Sequence, residues 1–303
     1  MRAFWEGLFE ASARSKAATD PGESWVLADQ NETGQRLMAW IEEARQLSEK
    51  SPLFSQRIEI IEHGVLKPYL DQVAEAKKWT ETPLPQLKVA GTRQDVRLDG
   101  RLDDAIWPQA EESADFVTMY NSPMPVRTTV RVVREKNALV MGFHCDEPRM
   151  DELVTHHLSS SAGICTDDSV EINLAFPGKA KNASGASDGT KNYLQIMANA
   201  AGWTWHWWRG KYNPGEPKDL GIECAVAKLD DDWQAEIRIP LSLFGDPESR
   251  FEGATANFMR NRPRSQDPRS NTEKHGVWSP TFTGGFQNPN RFGKLIFPET
   301  NPD

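Results

Sequence analysis

Val96-Arg97-Leu98-Asp99-Gly100-Arg101-Leu102-Asp103-Asp104-Ala105-Ile106-Trp107 heads a series of short segments that follow one another down the chain. Behind it come Cys145-Asp146-Glu147-Pro148, then Asp167-Asp168-Ser169-Val170-Glu171-Ile172, then Trp233-Gln234-Ala235-Glu236-Ile237-Arg238-Ile239-Pro240. Trp278-Ser279-Pro280 and Arg291-Phe292-Gly293-Lys294-Leu295 close the series. The intervening sequence alternates with period 2. Thr129 to Val133 and Ala138 to Cys145 form a hairpin pattern around Glu135-Lys136-Asn137, with Leu139, Met141, Phe143 and Cys145 on one face. Val170, Ile172, Leu174 and Phe176 alternate against Glu171 and Asn173, and Leu194, Ile196 and Ala198 against Gln195, Met197 and Asn199. Ile222 to Ala227 and Trp233 to Ile239 flank an Asp230-Asp231-Asp232 turn, and Thr255 to Arg260 and Lys294 to Phe297 supply the last strands. Many short strands with polar turns predict a mainly β domain, an antiparallel immunoglobulin-like or jelly-roll β-sandwich over residues 88–299. Gly178 to Thr190, rich in Gly, Ala, Ser and Lys, reads as a mobile loop.

Upstream the period is 3.6. Trp5, Leu8 and Phe9 recur at helical spacing, and Leu37, Trp40, Ile41, Ala44 and Leu47 follow the i, i+3, i+4, i+7 rule. Ser51-Pro52 starts a third helix that carries Phe54, Ile58, Ile61 and Val65 and is expected to kink or end at Pro68. Residues 1–79 are thus an α-helical region whose apolar faces need a further surface to pack on. Thr80-Glu81-Thr82-Pro83-Leu84-Pro85 marks a linker over 80–87.

A net charge of -9 argues against nucleic acid, because phosphate binding needs a basic surface. No stretch is apolar for long enough to span a membrane. Met1 to Lys16 lacks the apolar core of a signal peptide, so the chain is either cytoplasmic or a piece of a longer secreted, periplasmic or cell-surface protein, and its opening inside a helical region favours the piece. Cys145, Cys165 and Cys224 cannot all pair internally, although one disulfide between two of them is open. There is no HExxH, GxSxG or P-loop motif. The chain by itself reads as non-catalytic.

Sugar binding needs a flat aromatic platform with polar groups at its edge. The 11 Trp are many for this length, and Trp203, Trp205, Trp207 and Trp208 crowd one segment. With period 2, Trp203, Trp205 and Trp207 share a face, which is either core or a ligand platform. Phe286, between Gly285 and Pro289 in a loop, is a further platform on which core packing has less claim.

The ordered segments resemble those of a family-9 carbohydrate-binding module, from about Leu87 to Pro298. The resemblance implies a β-sandwich that holds an associated glycoside hydrolase, an enzyme acting on O-glycosyl bonds, on a polysaccharide. It implies a clamp of two aromatic rings, one just before the Asp168-Ser169-Val170-Glu171 strand and one in the loop before Arg291-Phe292-Gly293. Phe286 matches the second ring; the first position holds Ile164-Cys165-Thr166, so the Trp203 to Trp208 cluster would have to supply the missing ring. Glu171, Gln195 and Asn288 match polar contacts, Gln195 where the family carries an arginine. An alternative for Glu171 is a salt bridge to Arg260 or Arg262. The family often carries structural calcium, for which Asp99, Asp103, Asp104, Asp146, Glu147 and Asp167 are the acidic candidates. Related sandwiches bind haem b through Met with His or Lys, which draws in Met197, Met259, His144 and His206. The opposing reading is an inter-domain sandwich without sugar binding. The helices, through Ala44-Arg45 and Ser51-Pro52-Leu53-Phe54-Ser55-Gln56-Arg57-Ile58, weakly resemble the segment preceding such modules in large glycoside-hydrolase-like proteins, which implies an upstream catalytic domain.

Overall fold

The computed structural model describes residues 2–15, 29, 32–48, 51–176, 193–209, 219–244, 251, 253–263, 274–283 and 285–298. The Gly178 to Thr190 segment lies outside them. The chain divides into two compact units, Met1–Pro83 and Leu84–Asp303.

The first unit holds α1 (Arg2–Ser15), α2 (Thr33–Ser48), α3 (Pro52–Ile61) and α4 (Lys67–Glu81). Their apolar faces bury one another: Phe4, Ala11, Leu37, Ile41, Ile58, Leu66, Tyr69 and Val73 make one core. The four helices thus supply for one another part of the packing surface that the three read from the sequence were expected to need. The stripe of α1 is rotated from the one expected, because Phe4 and Ala11 face inward while Trp5 and Phe9 are 50% and 77% exposed. In α2 the stripe stops early, with Leu47 83% exposed. Pro68 does not break the helix. A π-helical turn, Glu62–Leu66, joins α3 to α4 and puts Pro68 in the first turn of α4. The helix is continuous there, with Lys67 N bonded back to Glu62 O, and the wider π-turn makes room for the proline ring. The helix then runs to Glu81 and the first strand begins at Gln86, so the stretch without regular structure is shorter than the expected 80–87 linker.

The second unit is a two-sheet sandwich. Its strands are β1 (Gln86–Lys88), β2 (Ala90–Gly91), β3 (Val117–Thr118), β4 (Thr128–Arg134), β5 (Ala138–Asp146), β6 (Ser169–Ala175), β7 (Tyr193–Asn199), β8 (Thr204–Arg209), β9 (Glu223–Lys228), β10 (Asp232–Pro240), β11 (Thr255–Asn261), β12 (His275–Val277) and β13 (Gly293–Ile296). One sheet runs β1-β13-β11-β6-β7-β8, with β12 and β3 attached through β11, and the other runs β2-β4-β5-β10-β9. The sheets are mixed rather than wholly antiparallel: β1 runs parallel to β13 and β2 parallel to β4. The strands that open the unit therefore tie onto strands formed later in the chain.

The alternation read from the sequence sets the core. Leu139, Met141, Phe143, Ile237 and Ile239 of one sheet meet Val170, Ile172, Leu174, Leu194, Ile196 and Phe258 of the other. The Val96–Trp107 stretch forms no strand. It covers the outer face of the five-stranded sheet, with Trp107 packed on Val96, Val133 and Val140. Two of the ordered segments meet here, because Glu236 of β10 accepts hydrogen bonds from Asp99 N, Gly100 N and Trp107 Nε1 at 2.9, 2.8 and 3.0 Å. Gly100 has φ +85° and a Cβ there would lie 2.4 Å from Ala227 N, so only glycine fits.

Candidate functional site

Residues 171, 195, 197, 205, 209, 261 and 275 lie on the outer face of the eight-stranded sheet, because core residues occupy the alternate positions. The register aligns Glu171 with Met197 and Met197 with Trp205 across β6, β7 and β8. Together with Cys165, Thr166, Met119 and the loop residues Gly285, Phe286 and Gln287 these side chains surround a cavity of about 500 Å³. That size lies within the range of about 300–1,000 Å³ usual for small-molecule sites. A groove of about 650 Å³ in the helical unit, lined by Trp5, Trp40, Leu47 and Phe54, offers mainly apolar surface and few converging polar groups.

The cavity joins residues from separate parts of the sequence. Trp205 of β8 lines it, and so does Phe286, whose ring meets His275 edge to face at 5.4 Å. The Trp207 ring stacks on Trp205 at 6.0 Å with 5° between planes. That stack fixes the Trp205 ring, an interaction worth about 0.5–1.5 kcal/mol. Trp207 and Trp203 are not among the cavity-lining residues, and Trp203 is 44% exposed on the approach to β8. Trp208 points the other way and packs against the core.

The polar floor is a relay. Arg209 Nε donates to Gln195 Oε1 at 2.6 Å, and Gln195 Nε2 donates to Glu171 Oε1 at 2.6 Å. Burial pushes the Glu171 carboxyl up to about 7, against the opposing pull of the Gln195 hydrogen bond and the Arg209 charge. Near neutral pH Glu171 therefore interconverts between acceptor and donor. Glu171 is not paired with Arg260 or Arg262. Those two instead meet the buried Glu147, Arg262 Nε at 2.7 Å and Arg260 Nη2 at 3.4 Å. Burial and Lys274 hold His275 below its ordinary value, so it is neutral at pH 7.

Asn288 is placed differently from the expectation. It is buried and its side-chain amide donates to Thr281 O at 2.9 Å. Thr281 and Thr283 hydroxyls both donate to Gly285 O. Asn288 thus pins the loop that carries Phe286. Next in sequence to the lining residue Thr166, the carboxylate of Asp167 accepts from His156 N, His157 N and Asn199 Nδ2. Burial alone would raise Asp167, but these hydrogen bonds hold it below its ordinary value. Asp168 Oδ2 accepts from Val154 N at 2.8 Å. The two aspartates staple the 154–157 segment to the start of β6.

The acids named for calcium each have protein partners. Asp99 and Asp103 pair with Arg97, Asp146 with His144, Glu147 with two arginines, and Asp167 with His157. Asp104 Oδ2 accepts from Arg97 N. Among the described residues no group of three or more His, Cys, Asp or Glu is placed to hold a metal ion. The haem candidates are dispersed as well. His144 lies on the five-stranded sheet, Met197 and Met259 on the outer face of the other sheet, and His206 on its core face. All three cysteines are free thiols, Cys165 exposed at the cavity rim and Cys145 buried. No helix among the described residues is long and apolar enough to cross a membrane.

Sequence reasoning missed Arg209, Asn261, His275 and Met119 as cavity residues. Arg209 alone carried a signal, since the alternation of Trp203, Trp205 and Trp207 continues to it.

The sandwich is similar to solved structures. A family-9 carbohydrate-binding module from Caldicellulosiruptor kristjanssonii in complex with glucose is 18% identical, covers 72% of this chain and 98% of its own, and superposes with a TM-score of 0.50. A putative carbohydrate-binding protein from Bacteroides uniformis is 17% identical, covers 71% of this chain and 100% of its own, and has a TM-score of 0.53. These identities speak to the fold. No curated protein matches the chain. The family model described as carbohydrate family 9 binding domain-like matches residues 98–300, most of the chain, and the chain belongs to that family.

Proposed function

We propose that the sandwich binds carbohydrate, without catalysis, in the cavity on the outer face of the eight-stranded sheet. The observation that carries this reading is the meeting of two aromatic rings, Trp205 and Phe286, with a polar floor of Glu171, Gln195 and Arg209 in one cavity. A sugar presents an apolar C–H face and a rim of hydroxyls. An aromatic side chain takes the first, and directional donors and acceptors take the second. Trp205 stands in for the ring missing at Ile164-Cys165-Thr166. Family membership and the glucose carried by the Caldicellulosiruptor module point the same way.

The larger role that fits is to hold a glycoside hydrolase, in the same polypeptide or as a partner, on an extracellular polysaccharide. A second reading, a sandwich that only joins domains, is favoured by Cys165, which brings a thiol to the rim where the family resemblance calls for a ring. Affinity electrophoresis of the wild type, Trp205→Ala and Phe286→Ala through gels containing xylan, mannan, soluble cellulose derivatives or pectin separates the two. Carbohydrate binding predicts that at least one polysaccharide retards the wild type and that either variant runs free. Equal mobility of all three proteins in every gel would favour the joining role.

A further inference from the structure

We infer that the cavity is selective for an acidic sugar, a glycan residue carrying a hexuronate carboxylate, and that Arg209 is the side chain that reads it. This rests on the carbohydrate-binding reading above and names the class of sugar. Arg127, Arg131, Arg238, Arg260 and Arg262 of the sandwich each pair with a carboxylate, whereas the exposed Arg93 and Arg101 pair with none among the described residues, and Arg209 is the arginine that lines the cavity. Among the described residues Arg209 makes no ion pair, and its one hydrogen bond, from Nε to Gln195, leaves both Nη groups uncommitted. A guanidinium held by Nε keeps a planar pair of Nη donors that matches the two oxygens of a carboxylate.

The charges around the cavity support the assignment. Arg209, Glu171 and His275 are its titratable lining residues apart from the Cys165 thiol. Glu171 keeps its proton up to about 7 because it is buried, and Cys165 is raised above its ordinary value by burial and by Glu171. His275 is neutral at pH 7. Arg209 is therefore the lining group whose positive charge does not depend on pH across the neutral range, and among the described residues no carboxylate pairs with it. A neutral sugar leaves that charge without a counter-ion in a partly desolvated site; a uronate supplies one. Above pH 7 the ionised Glu171, coupled to Arg209 through Gln195, competes for the same cation.

The test is calorimetric titration of the full chain at pH 6, with ligands paired so that they differ only at C6. Glucuronate is set against glucose, galacturonate against galactose, and oligogalacturonate is run beside the neutral xylo-, cello- and manno-oligosaccharides. We expect one uronate to bind at least tenfold tighter than its neutral partner. Arg209→Gln should erase that preference, and Arg209→Lys, which keeps the charge but not the planar pair of donors, should keep only part of it. Equal or tighter binding of the neutral partner overturns the acidic-sugar inference while leaving carbohydrate binding intact. A uronate preference that survives Arg209→Gln overturns the role of Arg209. Binding of no sugar of either kind overturns both readings together.

Discussion

Glu171 is the residue whose chemistry is furthest from that of an exposed side chain. It sits on the outer face of a sheet, yet the β8 tryptophans and the Phe286 loop remove it from water, and its carboxyl is pushed from 4.5 up to about 7. A carboxylate whose folded value stands above its unfolded value holds its proton more tightly when folded. Stability from this group is thus fully present below pH 4.5, is lost as pH rises toward 7, and loses nothing more above that. A rise of this size corresponds to a loss on the order of 3 kcal/mol across the window. Glu171→Gln keeps an acceptor for Gln195 and removes the titration. Urea unfolding at pH 4.5, 6 and 8 should show the wild type losing stability relative to Glu171→Gln as pH rises. Parallel losses in the two proteins would mean that Glu171 is solvated and ordinary. Alternation in the sequence placed Glu171 opposite the core; its burial came from β8 and a distant loop, which no local pattern carries.

At the scale of elements, the ordered segments legible in the sequence are mostly scaffold. Asp99-Gly100 and Glu236 are 136 residues apart for Gly100 and meet because a left-handed glycine turns two backbone N–H groups onto one buried carboxylate. Asp167 and Asp168 staple a loop, Glu147 bridges two arginines, and Gly293 lets the Trp278 ring lie against the backbone, where a Cβ would come within 2.4 Å. Such positions demand one residue type, so they stand out in a single sequence. Cavity residues such as Asn261 and His275 sit on regular strands whose backbone accepts many side chains, so they do not. The difference predicts unequal effects. Gly100→Ala forces a Cβ into the backbone of Val226 and Ala227 at a positive φ and should cost about 3 kcal/mol or more, read as a lowered denaturant midpoint. A loss under about 0.5 kcal/mol would mean that the loop moves away and that Glu236 does not anchor it.

For the whole molecule, period 2 and period 3.6 separated the two units correctly in kind. The helical unit was harder to read in detail, because helical spacing alone does not say which of two adjacent stripes turns inward, and Phe4 rather than Trp5 does. The π-helical turn before Pro68 was illegible for a related reason: the sequence shows the proline but not the widened turn that admits it. In the sandwich, the alternation that put Val170 and Ile172 inward also put Glu171 outward, which is why part of the cavity could be named in advance. The face shared by Trp203, Trp205 and Trp207 was ambiguous between core and platform; Trp205 and Trp207 lie on the outer side of the sheet and Trp205 lines the cavity, while Trp208, on the other face, packs on the core. Because Trp205 lines the cavity, its emission reports directly on occupancy. The most direct measurement is intrinsic tryptophan fluorescence during titration with xylo-, cello-, manno- and galacturono-oligosaccharides, on the wild type and on Trp205→Phe. A saturable shift with one series, absent or much reduced in Trp205→Phe, is expected of a sugar site at this cavity. No shift with any series in folded wild-type protein would contradict it.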